Sequence, residues 1–382
     1  MNKYLELTMT HRVDIHGKKM MGWLAPLMLA LTLMVSSCSP ATEGQEGNDA
    51  WVTLTISTGG GAAQAKASDA ASRASGSAAD KDWQVNDLTI YIFDQTGQVI
   101  GSSYASYSIN SQQDITATVK TRKAQNCTVI ALANAGTLSG TYATAQTTSP
   151  FAGVSTLSEF QQKYITFKDM ASLESAPCLL MVGYLTGFDT TSSGSNISLQ
   201  RLASRLDFTI TVNQDLVTGR PIVVDSYQLC HAPLSAYYAS ADMSSTGITL
   251  PSGTSFVEYA ANSMAFNSWT SGSNSQSYTA YVYANPATTA TDATYLLIKA
   301  HSQASNTDTR KIWQSEFKVY LTGITGLADY QLLPNYHYTI GITVQGSATE
   351  HNGVKTVYTA YPYYSSSLSA WGSNENRDLD MK

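Results

Sequence analysis

One alternating segment, set apart from the rest of the chain, constrains the fold of this protein most. Residues 51–58 read WVTLTIST, in which Val52, Leu54 and Ile56 alternate with hydroxyl side chains, the period of a half-buried β-strand. Residues 59–79, rich in Gly, Ala and Ser, follow without periodicity and without a large apolar side chain. Such a run cannot pack, and we expect a flexible, exposed linker. One strand is therefore joined to the remaining fold only through that linker.

The remainder of the sequence consists of short apolar runs bounded by Gly, Ser, Asn and Pro, which is typical of an all-β protein. Of its 382 residues, 43% are hydrophobic and only 13% are charged, which excludes a disordered chain. The net charge of −6 disfavours a general nucleic-acid binder. We predict β-sandwich domains, with one helix over residues 157–164 that begins in a capping box of Thr156 and Glu159. The predicted strands after the linker are Leu88–Phe93, Gln98–Ile100, Asp114–Thr121, Cys127–Ala135, Cys178–Leu185, Leu206–Val212, Ile222–Leu229, Tyr278–Tyr283, Tyr295–Ala300, Trp313–Leu321 and Tyr336–Val344.

The first residues have the pattern of a targeting segment. Residues 23–35 form an apolar run of 13 residues after Lys18 and Lys19. That is too short for a transmembrane helix, which needs about 20 residues, but it is typical of a secretory signal peptide. The sequence Val35-Ser-Ser-Cys38 at its end resembles a bacterial lipobox, so we expect the Cys38 thiol to be acylated and residues 1–37 to be removed. An ordinary signal peptide with a chance cysteine is the alternative.

Arg73 is the single arginine between Arg12 and Arg122, and it is flanked by Ala, Ser and Gly. Proteases cut exposed loops of small residues, so Arg73 and Ala74 form an accessible site for a trypsin-like enzyme; a solvated charge without consequence is the other interpretation.

Residues 198–210 turn into a strand and indicate a domain boundary. The predicted organisation is a signal peptide (1–37), a segment with the first strand and the linker (38–73), which cleavage after Arg73 would make a propeptide, an N-terminal β-sandwich domain (74–203) and a C-terminal β-sandwich domain (204–382).

The sequence contains no motif that points to catalysis. Cys127, Cys178 and Cys230, the cysteines beyond Cys38, are odd in number, lie in apolar runs and form no CxxC pair. We therefore expect small buried side chains and not a metal or redox site. The histidines form no HExxH motif, and no GxSxG elbow accompanies the many serines. We predict that the protein is not an enzyme and has no catalytic residue, no metal site and no cofactor.

In their order and spacing, these segments resemble the fimbrillins of Bacteroidia, the FimA-type subunits of type V pili. The resemblance implies two transthyretin-like β-sandwich domains and export as a lipoprotein to the outer membrane. It also implies cleavage after Arg73 by an arginine-specific surface protease, and polymerisation by strand exchange in which the first strand (Val52, Leu54, Ile56) is displaced. The segments that carry the resemblance are Cys38, the strand at residues 52–56, the Arg73 site, Leu88–Phe93, CTVIALANAG at 127–136, LASRLDF at 202–208 and LPNYHYTI at 333–340.

The resemblance further implies a donor strand near the C-terminus. Residues 354–364 read VKTVYTAYPYY, and the candidate donor side chains are Val354, Val357, Tyr358 and Tyr361. The expected partners are other copies of the chain and related fimbrial subunits, in a fimbria on the cell surface that supports adhesion. The polar end of the chain is unlike a long apolar donor, which leaves stalk, tip and anchor positions open. The alternative is an uncleaved outer-membrane lipoprotein, either a fimbrial anchor or a surface module that binds glycans through exposed Tyr and Trp side chains.

Overall fold

Strands dominate the protein, and the all-β prediction is confirmed. The computed structural model describes residues 48–58, 81–111, 113–143, 151–192, 194–241, 249–262, 266–267, 274–321, 330–347, 354–362 and 376–377. These residues belong to one compact unit, Glu46–Lys382. Cys38, Arg73 and Ala74, on which the predictions of lipidation and cleavage depend, lie outside the described residues.

The elements follow one another as short strands with brief helical turns between them. Up to residue 201 the strands are β1 (Asp49–Ser57), β2 (Val85–Phe93), β3 (Val99–Ile109), β4 (Asp114–Arg122), β5 (Cys127–Ala133), β6 (Tyr164–Thr166), β7 (Met181–Phe188), β8 (Ser195–Ser198) and β9 (Gln200–Arg201). The helices of this part are α1 (Ala135–Leu138), α2 (Leu157–Gln161) and α3 (Met170–Ser175). The later strands are β10 (Ala203–Val212), β11 (Ile222–Cys230), β12 (Ala232–Pro233), β13 (Ser235–Tyr237), β14 (Phe256–Val257), β15 (Phe266–Asn267), β16 (Ser275–Tyr283), β17 (Tyr295–Gln303), β18 (Lys311–Tyr320), β19 (Tyr336–Val344), β20 (Val354–Pro362) and β21 (Asn376–Arg377).

Two sheets built from residues 49–201 face each other. One has the strand order β4-β1-β8 and the other the order β3-β2-β5-β7-β9. A single buried cluster takes side chains from both sheets, among them Leu54 of β1, Val119 of β4, Ile90 of β2 and Val129 of β5. The pair is therefore a β-sandwich, and β1 is the central strand of one layer.

Two further sheets come from residues 203–377, with the strand orders β16-β10-β19-β20-β21 and β15-β11-β17-β18. Their buried cluster contains Phe208 of β10, Ile298 of β17 and Phe317 of β18. The same cluster includes Phe93 of β2 and Ile130 of β5, which lie on the face of their sheet that is turned away from β1. This second cluster is shared by the two halves, and the division into two domains at residue 203 stays a prediction.

The predicted helix start is confirmed, but the helix is shorter than expected. The Thr156 hydroxyl accepts a hydrogen bond from the Glu159 N–H (3.2 Å), and the Glu159 carboxylate accepts one from the Thr156 N–H (3.2 Å). The helix ends at Gln161 because the chain turns into β6, whose three residues pair with β13. This non-local pairing overrides the local helix signal.

The strand predicted over Cys127–Ala135 stops at Ala133. Asn134 adopts a left-handed conformation (φ 71°) and is fully buried. Its side chain accepts a hydrogen bond from the Asn86 N–H (2.8 Å) and donates one to the Leu179 carbonyl (2.6 Å). These bonds hold the turn into α1 and end the strand. The strand predicted from Cys178 likewise begins only at Met181.

Strand directions define two ends of the molecule. β10 begins beside β9, and β10 and β19 run parallel to each other until they end at Val212 and Val344. We call residues 212–222, 303–311 and 344–345, which surround these two strand ends, the distal end. β1 begins where Asp49 pairs with Arg122 and ends where the Ser57 carbonyl accepts a hydrogen bond from the Leu199 N–H (2.9 Å), close to the start of β10. We call residues 48–49, 94–97 and 122–126 the outer end. β1 therefore runs from the outer end toward the junction of the two halves.

Candidate functional site

The first strand lies in a slot between two other strands. β1 pairs antiparallel with β4 along all nine of its residues, from Asp49 opposite Arg122 to Ser57 opposite Asp114. Over Leu54–Ser57 it also pairs in parallel with β8. Removal of β1 would leave a row of unpaired backbone groups on β4 and another on β8.

The inward face of β1 fills an apolar groove. Val52, Leu54 and Ile56 are 1%, 0% and 0% exposed, in the alternation that the sequence shows. They belong to a cluster that contains Ile90 and Ile92 of β2. Complete burial of an aliphatic side chain stabilises a protein by roughly 1.5–3 kcal/mol, so these three side chains contribute substantially to holding the strand in its slot.

The outward face of β1 makes few contacts. Trp51 is 68% exposed and Thr53 is exposed. Asp49 pairs with Lys120 at 2.9 Å, but both side chains are mostly in solvent, where such an ion pair is worth little. The strand is therefore held by its backbone ladder and by its inward side chains.

The C-terminal end of β1 is closed by a reciprocal set of hydrogen bonds. The Thr58 hydroxyl donates to the Gln113 carbonyl (3.0 Å) and accepts from the Gln113 N–H (3.0 Å). The Thr58 N–H also donates to the Gln113 carbonyl (3.3 Å). At the outer end, the Asn48 carbonyl accepts from the Lys123 N–H (2.8 Å). Sequence inspection missed these end contacts because Gln113 carries no local signal of its partner.

The chain is fixed again at Lys81, directly before β2. The Lys81 ammonium donates to the Glu174 carbonyl (3.1 Å) and lies 4.3 Å from the ring centroid of Tyr281. The Arg201 guanidinium donates to the Asp82 carbonyl (2.7 Å) and lies 4.7 Å from the ring centroid of Trp83. The linker that contains Arg73 therefore joins two anchored points, Thr58 and Lys81.

An ion-pair network extends from this second anchor into the later sheets. Arg205 lies 3.2 Å from Asp82 and 3.1 Å from Asp207, and Asp207 bonds to His337 of β19 at 2.6 Å. Burial alone would raise the pKa of Asp207, but hydrogen bonds from His337 and Thr279 and the charge of Arg205 lower that pKa to about 2. The carboxylate therefore stays charged at any physiological pH and, through Arg205, links β10 to Asp82 in the segment before β2.

The C-terminal candidate segment is a strand at the side of its sheet. β20 pairs antiparallel with β19 along nine residues, from Val354 opposite Val344 to Pro362 opposite Tyr336. On its other side, the pairing within the described residues is with β21, whose two residues lie opposite Thr356 and Val357. The backbone of Val354, Val357, Tyr358 and Tyr361 therefore lies in a regular ladder of the same length as β1.

The described residues contain three free thiols. Among these residues there is no group of His, Cys, Asp and Glu that could hold a metal ion. Cys127, Cys178 and Cys230 are buried free thiols, and burial raises the pKa of each, that of Cys178 to about 12. Within the same residues, no helix is both long and apolar enough to cross a membrane.

The chain matches one protein family and is similar in structure to several solved proteins. Residues 50–199 match the family described as major fimbrial subunit protein (FimA). A candidate cell adhesion protein of Parabacteroides distasonis superposes with a TM-score of 0.58 at 19% identity, covering 78% of this chain and 89% of that one. A candidate cell adhesion protein of Bacteroides eggerthii gives a TM-score of 0.51 at 17% identity, with 84% and 98% covered. These two likenesses establish a shared fold.

A fimbrilin (FimA) of Porphyromonas gingivalis overlaps with a TM-score of 0.48 at 12% identity, over 77% of this chain and 90% of that chain. No protein of curated function matches the sequence.

Proposed function

Through residues 50–199 the chain belongs to the family of the major fimbrial subunit protein FimA, and from that premise we propose that it is a stalk or tip subunit of a type V pilus that polymerises by donor-strand exchange. Membership of this family makes it a structural subunit that assembles with other fimbrial subunits at the cell surface. Export as a lipoprotein, cleavage after Arg73 and strand exchange go beyond what family membership establishes and are proposed here.

The placement of β1 carries the proposal. The strand occupies the middle of a sheet, yet its covalent continuation is the segment with Arg73, fifteen residues after Thr58 and eight before the anchored Lys81. Cleavage between Arg73 and Ala74 by an arginine-specific protease would leave β1 bound only by ladder bonds and by Val52, Leu54 and Ile56. Its departure would open an apolar groove between two strand edges, which is a template for a strand of another chain.

The direction of the C-terminal strand supports the second half of the proposal. β20 begins at the distal end, so a released β20 would extend from that end of the molecule. On entering the groove of the next copy at its outer end, it would run in the direction of β1, antiparallel to β4 and parallel to β8. The candidate donor residues are Val354, Val357, Tyr358 and Tyr361. A head-to-tail contact of this kind does not close on itself and produces a fibre.

The lipid explains why cleavage would control assembly. Cys38 lies ten residues before Asn48 at the outer end of β1, so acylated Cys38 would hold the precursor at the outer membrane through the very strand that blocks the groove. One cut at Arg73 would then release the subunit from the lipid and make the groove available to a donor.

The experiment is the replacement Arg73→Ala, with Lys66→Ala in the same linker as the matched control. We expect Arg73→Ala to accumulate as lipidated precursor at the membrane and to form no polymer, whereas Lys66→Ala is processed and assembles normally. The N-terminus and intact mass of the surface protein report the outcome. Fibres of normal length from Arg73→Ala would overturn the cleavage step.

The same measurement on the unmodified protein separates the alternatives. A surface protein that begins at Ala74 is expected of a stalk or tip subunit. A protein that begins at acylated Cys38 would contradict the proposal and leave a fimbrial anchor or a glycan-binding lipoprotein.

A further inference from the structure

The loop between β10 and β11 presents two apolar side chains to solvent at the distal end. Leu216 is 67% exposed and its neighbour Val217 is 71% exposed. Single exposed aliphatic residues are common on protein surfaces. An adjacent pair at the tip of a loop is less usual and indicates a contact surface when the loop is rigid.

Hydrogen bonds around a buried carboxylate make this loop rigid. Asp215 is 1% exposed, and its side chain accepts from the N–H groups of Val217 (3.0 Å) and Thr218 (3.0 Å). It also accepts from the indole N–H of Trp313 (2.8 Å), which fastens the loop to β18. The Asp215 N–H donates to the Arg220 carbonyl (2.9 Å). The fold therefore uses a buried charged group to hold two apolar side chains in water.

The loop is also hydrogen-bonded to the residue from which the chain leads on to β20, the candidate donor strand. The Leu216 N–H donates to the carbonyl of Gln345 (2.9 Å), the residue that follows the last residue of β19. Eight residues separate Gln345 from Val354, the first residue of β20. At no more than about 3.6 Å per residue, the chain from Gln345 to Val354 spans at most about 32 Å. The first residue of a β20 taken up by another molecule would therefore lie within that distance of the residue that bonds to Leu216.

We propose that Leu216 and Val217 form a rigid apolar contact with the next copy of this chain, against the outer end of its N-terminal sheets. The inference rests on the proposed strand exchange and names a second, non-strand part of the same interface. A preformed contact aligns the two copies before the donor strand has exchanged, because it requires no ordering of flexible chain. It therefore accelerates subunit addition beyond what the strand alone achieves.

The test compares the double variant Leu216→Ser/Val217→Ser with Ile312→Ser. Ile312 is an aliphatic residue of β18, 46% exposed, that lies outside the loop. We expect the double variant to keep its thermal unfolding temperature, because both side chains are exposed, but to polymerise at least about tenfold more slowly after cleavage. Ile312→Ser is expected to polymerise at the rate of the unmodified protein. Polymerisation is followed by light scattering at equal protein concentrations.

A peptide experiment separates this proposal from the one on which it rests. A synthetic peptide of residues 346–364 is added to cleaved, unpolymerised protein, and release of the propeptide is measured. If the peptide displaces the propeptide equally well from the unmodified protein and from the double variant, strand exchange stands and the loss of polymerisation is assigned to the loop. If the double variant polymerises as fast as the unmodified protein, the loop proposal is wrong while strand exchange remains. If the peptide never displaces the propeptide, both fail.

Discussion

At the scale of single residues, burial is concentrated on a few side chains whose neighbours face solvent. Val52, Leu54 and Ile56 are almost completely buried, whereas Trp51 and Thr53 between and beside them are exposed. Substitutions on the two faces of β1 should therefore have very different consequences, although the positions are adjacent in sequence.

Replacement of Leu54 by Ala should lower the free energy of unfolding of the uncleaved protein by about 2–5 kcal/mol, because the side chain is fully buried and the cavity would be lined by strands of two sheets. Thr53→Ala, on the exposed face, is the control and should cost less than about 1 kcal/mol. Chemical denaturation monitored by fluorescence measures both. Equal effects at the two positions would show that the inward face does not hold the strand.

Asp207 should make the free energy of unfolding depend on pH in the acid range. Its pKa is about 2 in the folded protein, below the value of about 3.9 expected in the unfolded chain. Since the folded pKa is the lower one, the stabilisation is fully present above about pH 4 and is lost as the pH falls toward 2. Asp207→Asn should lower stability at neutral pH and flatten the pH dependence between about 4 and 2. Asp114→Asn, an exposed change on β4, serves as the control in thermal unfolding at each pH.

At the scale of elements, two nine-residue strands, β1 and β20, lie in comparable ladders in different sheets. β1 has a partner on each side, whereas β20, within the part of the chain that the structure describes, has a full partner in β19 and a two-residue partner in β21. A strand with one full partner is the easier of the two to release, which suits a donor. Under the proposed mechanism, β1 is released only after cleavage in the linker that follows it.

Deletion of residues 354–382 should produce a chain that accepts a donor but cannot give one. After cleavage it should remain monomeric alone, and in small amounts it should stop the growth of polymers made by the full-length protein. Electron microscopy of fibre length against the proportion of truncated chain measures this. Fibres made by the truncated chain alone would exclude β20 as the donor.

The sequence predicts much of the strand content but little of how the strands are paired. β19 has the predicted bounds, and β1, β2 and β4 differ from theirs by only a few residues, because each alternates clearly. β8, by contrast, reads Ser-Asn-Ile-Ser with Ile197 as its one buried apolar side chain, too little for a strand signal. β8 forms one wall of the groove, so the groove itself could not be deduced. β3 was predicted only as far as Ile100 because its continuation is rich in exposed Ser and Tyr.

At the scale of the whole molecule, the proposed cleavage would make the propeptide a non-covalent ligand of the rest of the chain. The two sheets that enclose β1 share one buried cluster, and the opposite face of the β2 and β5 sheet packs in a second cluster with the later sheets. A molecule without β1 would expose part of the first cluster to water. Whatever occupies the groove should therefore stabilise the entire fold and not the local sheet alone.

The unfolding temperature of the cleaved protein, once freed of its propeptide, should rise with the concentration of a synthetic peptide of residues 48–58. At a hundredfold excess over its dissociation constant, the peptide should add about 2.7 kcal/mol to the free energy of unfolding. A peptide with Asp in place of Leu54 is the control and should have no effect. Calorimetry over a range of peptide concentrations measures the dependence; an unfolding temperature independent of the peptide would contradict the role assigned to β1.

β1 runs from the outer end toward the junction, and β20 starts at the distal end, so giving and receiving a strand are properties of opposite ends. Under strand exchange, a molecule that is not cleaved can still donate its C-terminal strand, but its own groove stays occupied by β1 and cannot accept a donor. It can occupy only one terminus of a fibre, and there it ends elongation. The ratio of intact to cut molecules would then determine average fibre length, so the activity of the protease would control that length.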